Sequence, residues 1–178
     1  MFFMPMPRDS MSRRAVSASR EDNCGVPRCG YDTSPGVFAM SGGPLEGIRV
    51  LEFSQIVAGP VAGLALSDLG AEVVKVEPLA GEARRNSAAV VPNEGKYFQS
   101  LNRGARGLTL DLRAADGRAV LQRLVTRCDA VYNNLRGGAP ERLGLTYAAL
   151  CAANPRVVCC SLSGFGQSGP RAHEPGYD

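Results

Sequence analysis

Three short stretches carry the residues of this chain best suited to chemistry. Ser54-Gln55-Ile56-Val57-Ala58-Gly59-Pro60 joins small residues, which let a ligand approach the backbone, to a helix start whose unpaired amides suit an anion. Asp111, Leu112 and Arg113 form a second stretch, and Asn133, Asn134, Leu135, Arg136, Gly137 and Gly138 a third. An arginine in such a loop can grip a phosphate through paired donors. The same residues are also the ordinary content of turns, and pattern alone leaves both readings open.

The remaining reactive side chains offer less. Cys24 and Cys29 have a loose metal-like spacing, but no second Cys or His pair follows at zinc-site distance. They read as free thiols, and no metal site is expected. Cys128, Cys151, Cys159 and Cys160 lie in apolar segments, where cysteine behaves as a small buried hydrophobe. No secretory leader precedes the six cysteines, so a reducing cytoplasm is the expected compartment. The single histidine, His173, falls in a loop with Gly and Pro and is expected to be solvated.

The three stretches form one site only if strands of a common sheet lead into them. Ile48 to Phe53 reads as a short strand. Pro60 suits the first turn of a helix through Leu69, and Gly70 the left-handed position that closes it. Ala71 to Val76 is a nearly continuous apolar strand, and Leu108 to Leu112 a third. Val120, Leu121, Leu124, Val125 and Cys128 recur at one-helix-face spacing ahead of a strand at Ala130 to Tyr132. Thr146 can cap a helix through Ala152 that stops before Pro155, and Val157 to Leu162 supplies a further buried strand. Apolar strands alternating with helices predict an α/β fold, a Rossmann-like three-layer sandwich with a mostly parallel sheet. Its ligand crevice lies beyond the carboxyl ends of the strands, where all three stretches fall.

Composition narrows the partners. The 178 residues, 44% hydrophobic, suit one globular domain. A net charge of +3 and a pI near 8.6, with the basic residues scattered, argue against nucleic acid. Ser67, Asp68, Glu72 and Lys75 interrupt the most hydrophobic stretch, so no membrane crossing is expected. Residues 1–42 lack periodicity and are expected to be a disordered extension ahead of a folded portion at 43–178. Met40, before Ser-Gly-Gly-Pro-Leu-Glu-Gly-Ile, reads as a natural beginning.

Seven blocks in order resemble the family III coenzyme A transferases, relatives of formyl-CoA transferase and carnitine CoA-transferase. They run from Leu45-Glu46-Gly47-Ile48-Arg49-Val50-Leu51-Glu52-Phe53-Ser54 with Ala58-Gly59-Pro60, through Leu69-Gly70-Ala71-Glu72-Val73-Val74-Lys75-Val76-Glu77-Pro78, to Asn102-Arg103-Gly104-Ala105-Arg106 before Leu108-Thr109-Leu110-Asp111-Leu112. Asn134-Leu135-Arg136 with Glu141-Arg142-Leu143-Gly144-Leu145, Asn154-Pro155-Arg156, Ser163-Gly164-Phe165-Gly166-Gln167-Ser168-Gly169-Pro170 and Gly176-Tyr177-Asp178 complete them.

The resemblance implies a coenzyme A site lined by Gln55, Ile56, Val57 and Ala58, with contacts from Asp111, Leu112, Arg113, Asn134, Leu135 and Arg142. Arg113 and Arg142 would neutralise phosphate charge. Relatives often carry Lys-Arg at Ala105-Arg106 and Phe at Leu135, which implies weaker affinity here. It further implies transfer of coenzyme A between carboxylic acids through an aspartyl mixed anhydride, and interlocked homodimers. The attacking aspartate lies beyond the Gly-Tyr-Asp block in relatives, so the chain is expected to be truncated before it and inactive alone. Asp178 matches a supporting acidic position.

Three alternatives stay open. The related alpha-methylacyl-CoA racemases would place a histidine at Tyr177. A dinucleotide-binding module would use Glu77 to hold a ribose, although no Gly-x-Gly-x-x-Gly follows the first strand. The chain could also be an inactive remnant.

Overall fold

The computed structural model describes residues 3–4, 43–87 and 95–176. Strands β1 (Phe3–Met4), β2 (Arg49–Phe53), β3 (Glu72–Glu77), β4 (Arg106–Thr109), β5 (Ala130–Asn133) and β6 (Val158–Ser161) make one sheet in the order β1-β4-β3-β2-β5-β6. Strands β2 to β6 are all parallel, and β1 adds two residues antiparallel to β4. From β2 the chain steps outward through β3 to β4, then returns to the other side of β2 for β5 and β6. The direction of winding therefore reverses between β2 and β5.

Parallel strands need crossovers, and helices supply them. Helix α1 (Ala58–Asp68) links β2 to β3, α2 (Lys96–Leu101) precedes β4, and α3 (Ala115–Val125) links β4 to β5. Two short helices, α4 (Ala139–Arg142) and α5 (Tyr147–Leu150), lie between β5 and β6. Side chains alternate along each strand, so the sheet has two distinct faces. Leu51, Phe53, Val76, Leu108 and Val131 pack on one face with Leu121 and Val125 of α3 and Leu150 of α5. Val50, Val73 and Tyr132 pack on the other with Ala71, Ala105 and, from α1, Leu66. These layers are the expected α/β sandwich. Among the described residues no helix is long and apolar enough to cross a membrane.

Several element boundaries differ from expectation for identifiable reasons. Strand β4 ends at Thr109 rather than Leu112, because Asp111 Oδ1 accepts the Arg113 N–H at 3.0 Å and turns the chain toward α3. Thr146 does precede α5, but its side chain makes no capping bond; its carbonyl accepts the Ala149 and Leu150 amides instead. The strand expected to be buried at Val157 to Leu162 is not. Val157 is buried, yet Val158 is 62% exposed and Cys160 and Ser161 are exposed, since β6 is the last strand of the sheet. The cysteines follow suit. Cys128 is buried and burial pushes its thiol up to about 11, whereas Cys160 is exposed. Of the leader, Phe3–Met4 pair with Leu108 and Gly107, while residues 1–2 and 5–42, Cys24 and Cys29 among them, lie outside the described residues.

Leu121 is 1% exposed at the centre of the α3 face. Its truncation to Ala is expected to cost about 2–5 kcal/mol of stability, read as a lowered urea midpoint with an unchanged slope.

Candidate functional site

Inter-strand register sets up the site. Glu52 of β2 lies opposite Lys75 of β3 on one side and Tyr132 of β5 on the other. All three belong to the sheet face beneath α1, and each is buried. Helix α1 can lie this close only because it is small there: a methyl group on Gly63 would collide with the Glu52 carboxylate and the Tyr132 hydroxyl. The Tyr132 hydroxyl donates to the Gly59 carbonyl at 3.2 Å. Burial first, and the Glu52 charge second, hold its ionisation far above the usual phenol range.

Lys75 has no solvent exposure, so its ammonium must find partners within the protein. It donates to Glu52 Oε1 at 3.1 Å and to the Ser54 carbonyl at 2.9 Å. Glu82 Oε2 stands 3.0 Å away but takes no directed hydrogen bond, so charge rather than alignment holds that contact. The Ser54 hydroxyl also donates to Glu52 Oε1. Beside this cluster Glu77 accepts both Arg85 Nη2, at 2.6 Å, and Arg85 Nε, at 2.7 Å, and the Glu82 N–H at 2.9 Å. The Arg85 guanidinium lies 4.0 Å from the centroid of the Phe98 ring on α2, which closes the cluster on that side.

This network grips the loop after β2. The Ile56 N–H donates to Glu82 Oε1 at 2.7 Å, and Ile56 is the one non-glycine residue with positive φ, 72°, among the described residues. From the other side Asn134, just past β5, donates to the Gln55 carbonyl and accepts the Gln55 N–H, both at 2.8 Å. A side chain at Gly59 would strike Ser54 and Asn134. The loops after β2 and β5 are thus clasped together where the winding reverses, the place at which an open parallel sheet offers its crevice.

Of the residues expected at the site, Gln55, Ile56, Val57 and Ala58 are exposed on this rim, and Gln55 meets Asn134 directly. Leu135 follows, with its N–H donated to Asn133 Oδ1 at 3.3 Å and its side chain partly packed on the core. Asp111, Leu112 and Arg113 stand past β4; Leu112 is buried in the core, while Asp111 and Arg113 are exposed. Asp111 lines an apolar hollow of about 300 Å³ with Leu79, Thr109, Leu110 and Val120. Arg142 is exposed on α4 beside Gly138. Neither Arg113 nor Arg142 forms an ion pair with another described residue, so both are free for an anion. His173 is exposed and packs against Gly137. Asp178 and Tyr177 lie outside the described residues, and among the described residues no cluster suits a metal.

Sequence reasoning missed Glu52, Lys75 and Glu82. The available signal was charge inside strands otherwise read as apolar. In the sequence Lys75 reads as an interruption in a hydrophobic run.

Lys75→Met is expected to lower stability by roughly 3–5 kcal/mol, because it leaves Glu52 and Glu82 buried without their cation. Chemical denaturation would show it, and a loss below about 1 kcal/mol would contradict the pairing described.

The model of CoA-transferase family III matches residues 45–178. The chain is 37% identical over 148 residues to an acetyl-CoA:oxalate CoA-transferase of Acetobacter aceti, covering 83% of this chain and 37% of that protein. It is 41% identical over 143 residues to a succinate–glutarate CoA-transferase of Agrobacterium fabrum, covering 76% of this chain and 36% of the relative. A crystal structure of a CaiB/BaiF family protein from Brucella suis superposes with a TM-score of 0.71 at 42% identity, covering 77% of this chain and 38% of that one. The chain therefore spans little more than a third of the length of these relatives.

Proposed function

The chain belongs to CoA-transferase family III, and from that premise we propose that it supplies the coenzyme A-binding portion of an enzyme that moves coenzyme A between carboxylic acids. The observation that carries this reading is the Asn134 clasp, which joins two of the three expected ligand stretches at the switch point of the sheet.

The residues present fit the ligand. Coenzyme A brings several phosphate charges, and the rim offers the unpaired Arg113 and Arg142 together with the first amides of α1. Ile56 and Val57, 43% and 44% exposed, give the pantetheine arm an apolar wall. Leu135 lends part of its side chain to the same rim.

In the reaction proposed, an aspartate carboxylate attacks the acyl-CoA thioester; the acyl group moves to the carboxylate as a mixed anhydride and coenzyme A leaves as thiolate. The thiolate attacks the aspartyl carbonyl, releasing the donor acid and leaving an enzyme thioester. The acceptor carboxylate then receives the coenzyme A by the same two steps in reverse. We assign the attacking aspartate to none of the 178 residues, so this chain alone is proposed to bind without turning over. Asp178 is kept as a supporting carboxylate, and an interlocked homodimer as the assembly in which the reaction runs.

The alternatives gain nothing from the structure. A ribose-binding role for Glu77 requires a free carboxylate, and both its oxygens are held by Arg85. Racemase chemistry requires a base at the position of Tyr177, and the described histidine, His173, stands in the loop after β6.

Titration calorimetry of the 178-residue chain with coenzyme A tests the proposal. Binding is expected, weakening as salt is raised, and Arg113→Ala and Arg142→Ala should each weaken it roughly threefold to tenfold. Saturable binding of a nicotinamide dinucleotide without binding of coenzyme A would reverse the assignment.

A further inference from the structure

The coenzyme A reading names the loop Gln55 to Ala58 but leaves open what fixes its shape. Its conformation is not one the sequence favours. Ile56 holds φ 72°, where a β-branched side chain meets its own carbonyl, so an outside interaction must impose it. The Ile56 amide has one partner, Glu82 Oε1, at 2.7 Å. Glu82 is itself fixed from two directions: its N–H donates to Glu77 Oε2 at 2.9 Å, and its other carboxylate oxygen faces Lys75 Nζ at 3.0 Å. Its side chain is 4% exposed. It precedes a 3-10 turn at Ala83–Arg85 in the connection after β3, so it reaches the β2 loop from beyond the neighbouring strand.

We infer that Glu82 is a positioning residue for ligand binding, one that holds Ile56 in the left-handed conformation and so aims the Gln55-to-Ala58 loop at the crevice. The inference rests on the coenzyme A reading of that rim. Lys75 and Glu77 act one step further back, by orienting the Glu82 carboxylate. The arrangement also makes Glu82 the member of the cluster that can be altered safely. Two carboxylates share one ammonium, and removing the Glu82 charge leaves Lys75 with Glu52 as a one-to-one pair.

Two substitutions separate positioning from general stability. Glu82→Gln keeps an amide oxygen able to accept the Ile56 N–H but sets its NH2 against the Lys75 ammonium, so it holds the loop less firmly, whereas Glu82→Ala removes the acceptor. Exchange of the Ile56 amide, followed without ligand, is expected to be slow in the wild type, somewhat faster in Glu82→Gln and fast in Glu82→Ala. Coenzyme A affinity is expected to stay within about threefold for Gln and to fall about tenfold for Ala, the scale set by losing the bond that holds a left-handed residue. In an Ile56→Asn background, where the left-handed region is more accessible, the same Ala substitution should cost about threefold or less. Unchanged Ile56 exchange in Glu82→Ala overturns the inference alone, as does an Ala loss of full size in the Asn background. A folded wild-type chain that binds no coenzyme A overturns the functional reading and the inference with it.

Discussion

Lys75 is a cation with no access to water, and most of the site's order follows from that constraint. A buried ammonium is tolerated only when its donors are taken up, and here Glu52, the Ser54 carbonyl and Glu82 surround it. These partners come from β2, from the loop after β2 and from the segment after β3. Satisfying one charge therefore fixes three pieces of backbone relative to one another. An apolar residue at position 75 would pack against the same neighbours without specifying where the Ser54 carbonyl points.

The cluster divides the site into a rigid and an accessible part. On the rigid side lie Glu52, Lys75, Tyr132 and the small face of α1, where Gly59 and Gly63 leave no room for side chains. On the accessible side lie Gln55, Ile56, Val57 and Ala58, with both backbone polar groups of Gln55 engaged by Asn134. What remains free to meet a ligand is a set of side chains and the first amides of α1. Arg113, past β4, and Arg142, at the end of α4, are exposed and have no ion-pair partners among the described residues, so their positive charge is left uncompensated.

Much of this was legible in the sequence because the signals are local. The alternation of apolar strands and helices predicts the layered sheet, and Gly70, at φ 99°, takes the positive-φ position expected at the end of α1. The small-residue run Ser54 to Pro60 and the Asn133-Asn134 pair at the end of β5 mark the two loops that the structure clasps together. What escaped was non-local. Nothing in the spacing of Glu52 and Lys75 reveals that register places them opposite each other, and Glu82 reads as one charge in a polar loop. Ile56 gave no warning of a left-handed backbone, since that conformation is signalled by Gly or Asn and disfavoured by a β-branched residue. Strand β6 shows the limit from the other side: Val158 to Ser161 is as apolar as a central strand, and only its place at the edge of the sheet exposes it.

Magnitudes explain why a charged network serves this loop better than apolar packing would. Holding a non-glycine residue in the left-handed region costs about 1–2 kcal/mol, and a hydrogen bond to a charged group returns about 1.5–3 kcal/mol. The Glu82 bond to Ile56 is therefore sufficient, though with little to spare, and it acts along a direction where hydrophobic burial does not. Because the margin is small, the loop conformation depends on the Glu82 carboxylate being held still. Lys75 and the Glu77–Arg85 pair do this from beneath, with Phe98 stacked on the guanidinium. Glu52, Lys75, Glu77, Glu82 and Arg85 thus lie together under one short loop that holds a β-branched residue in a conformation it would not choose, at the point where the winding of the sheet reverses.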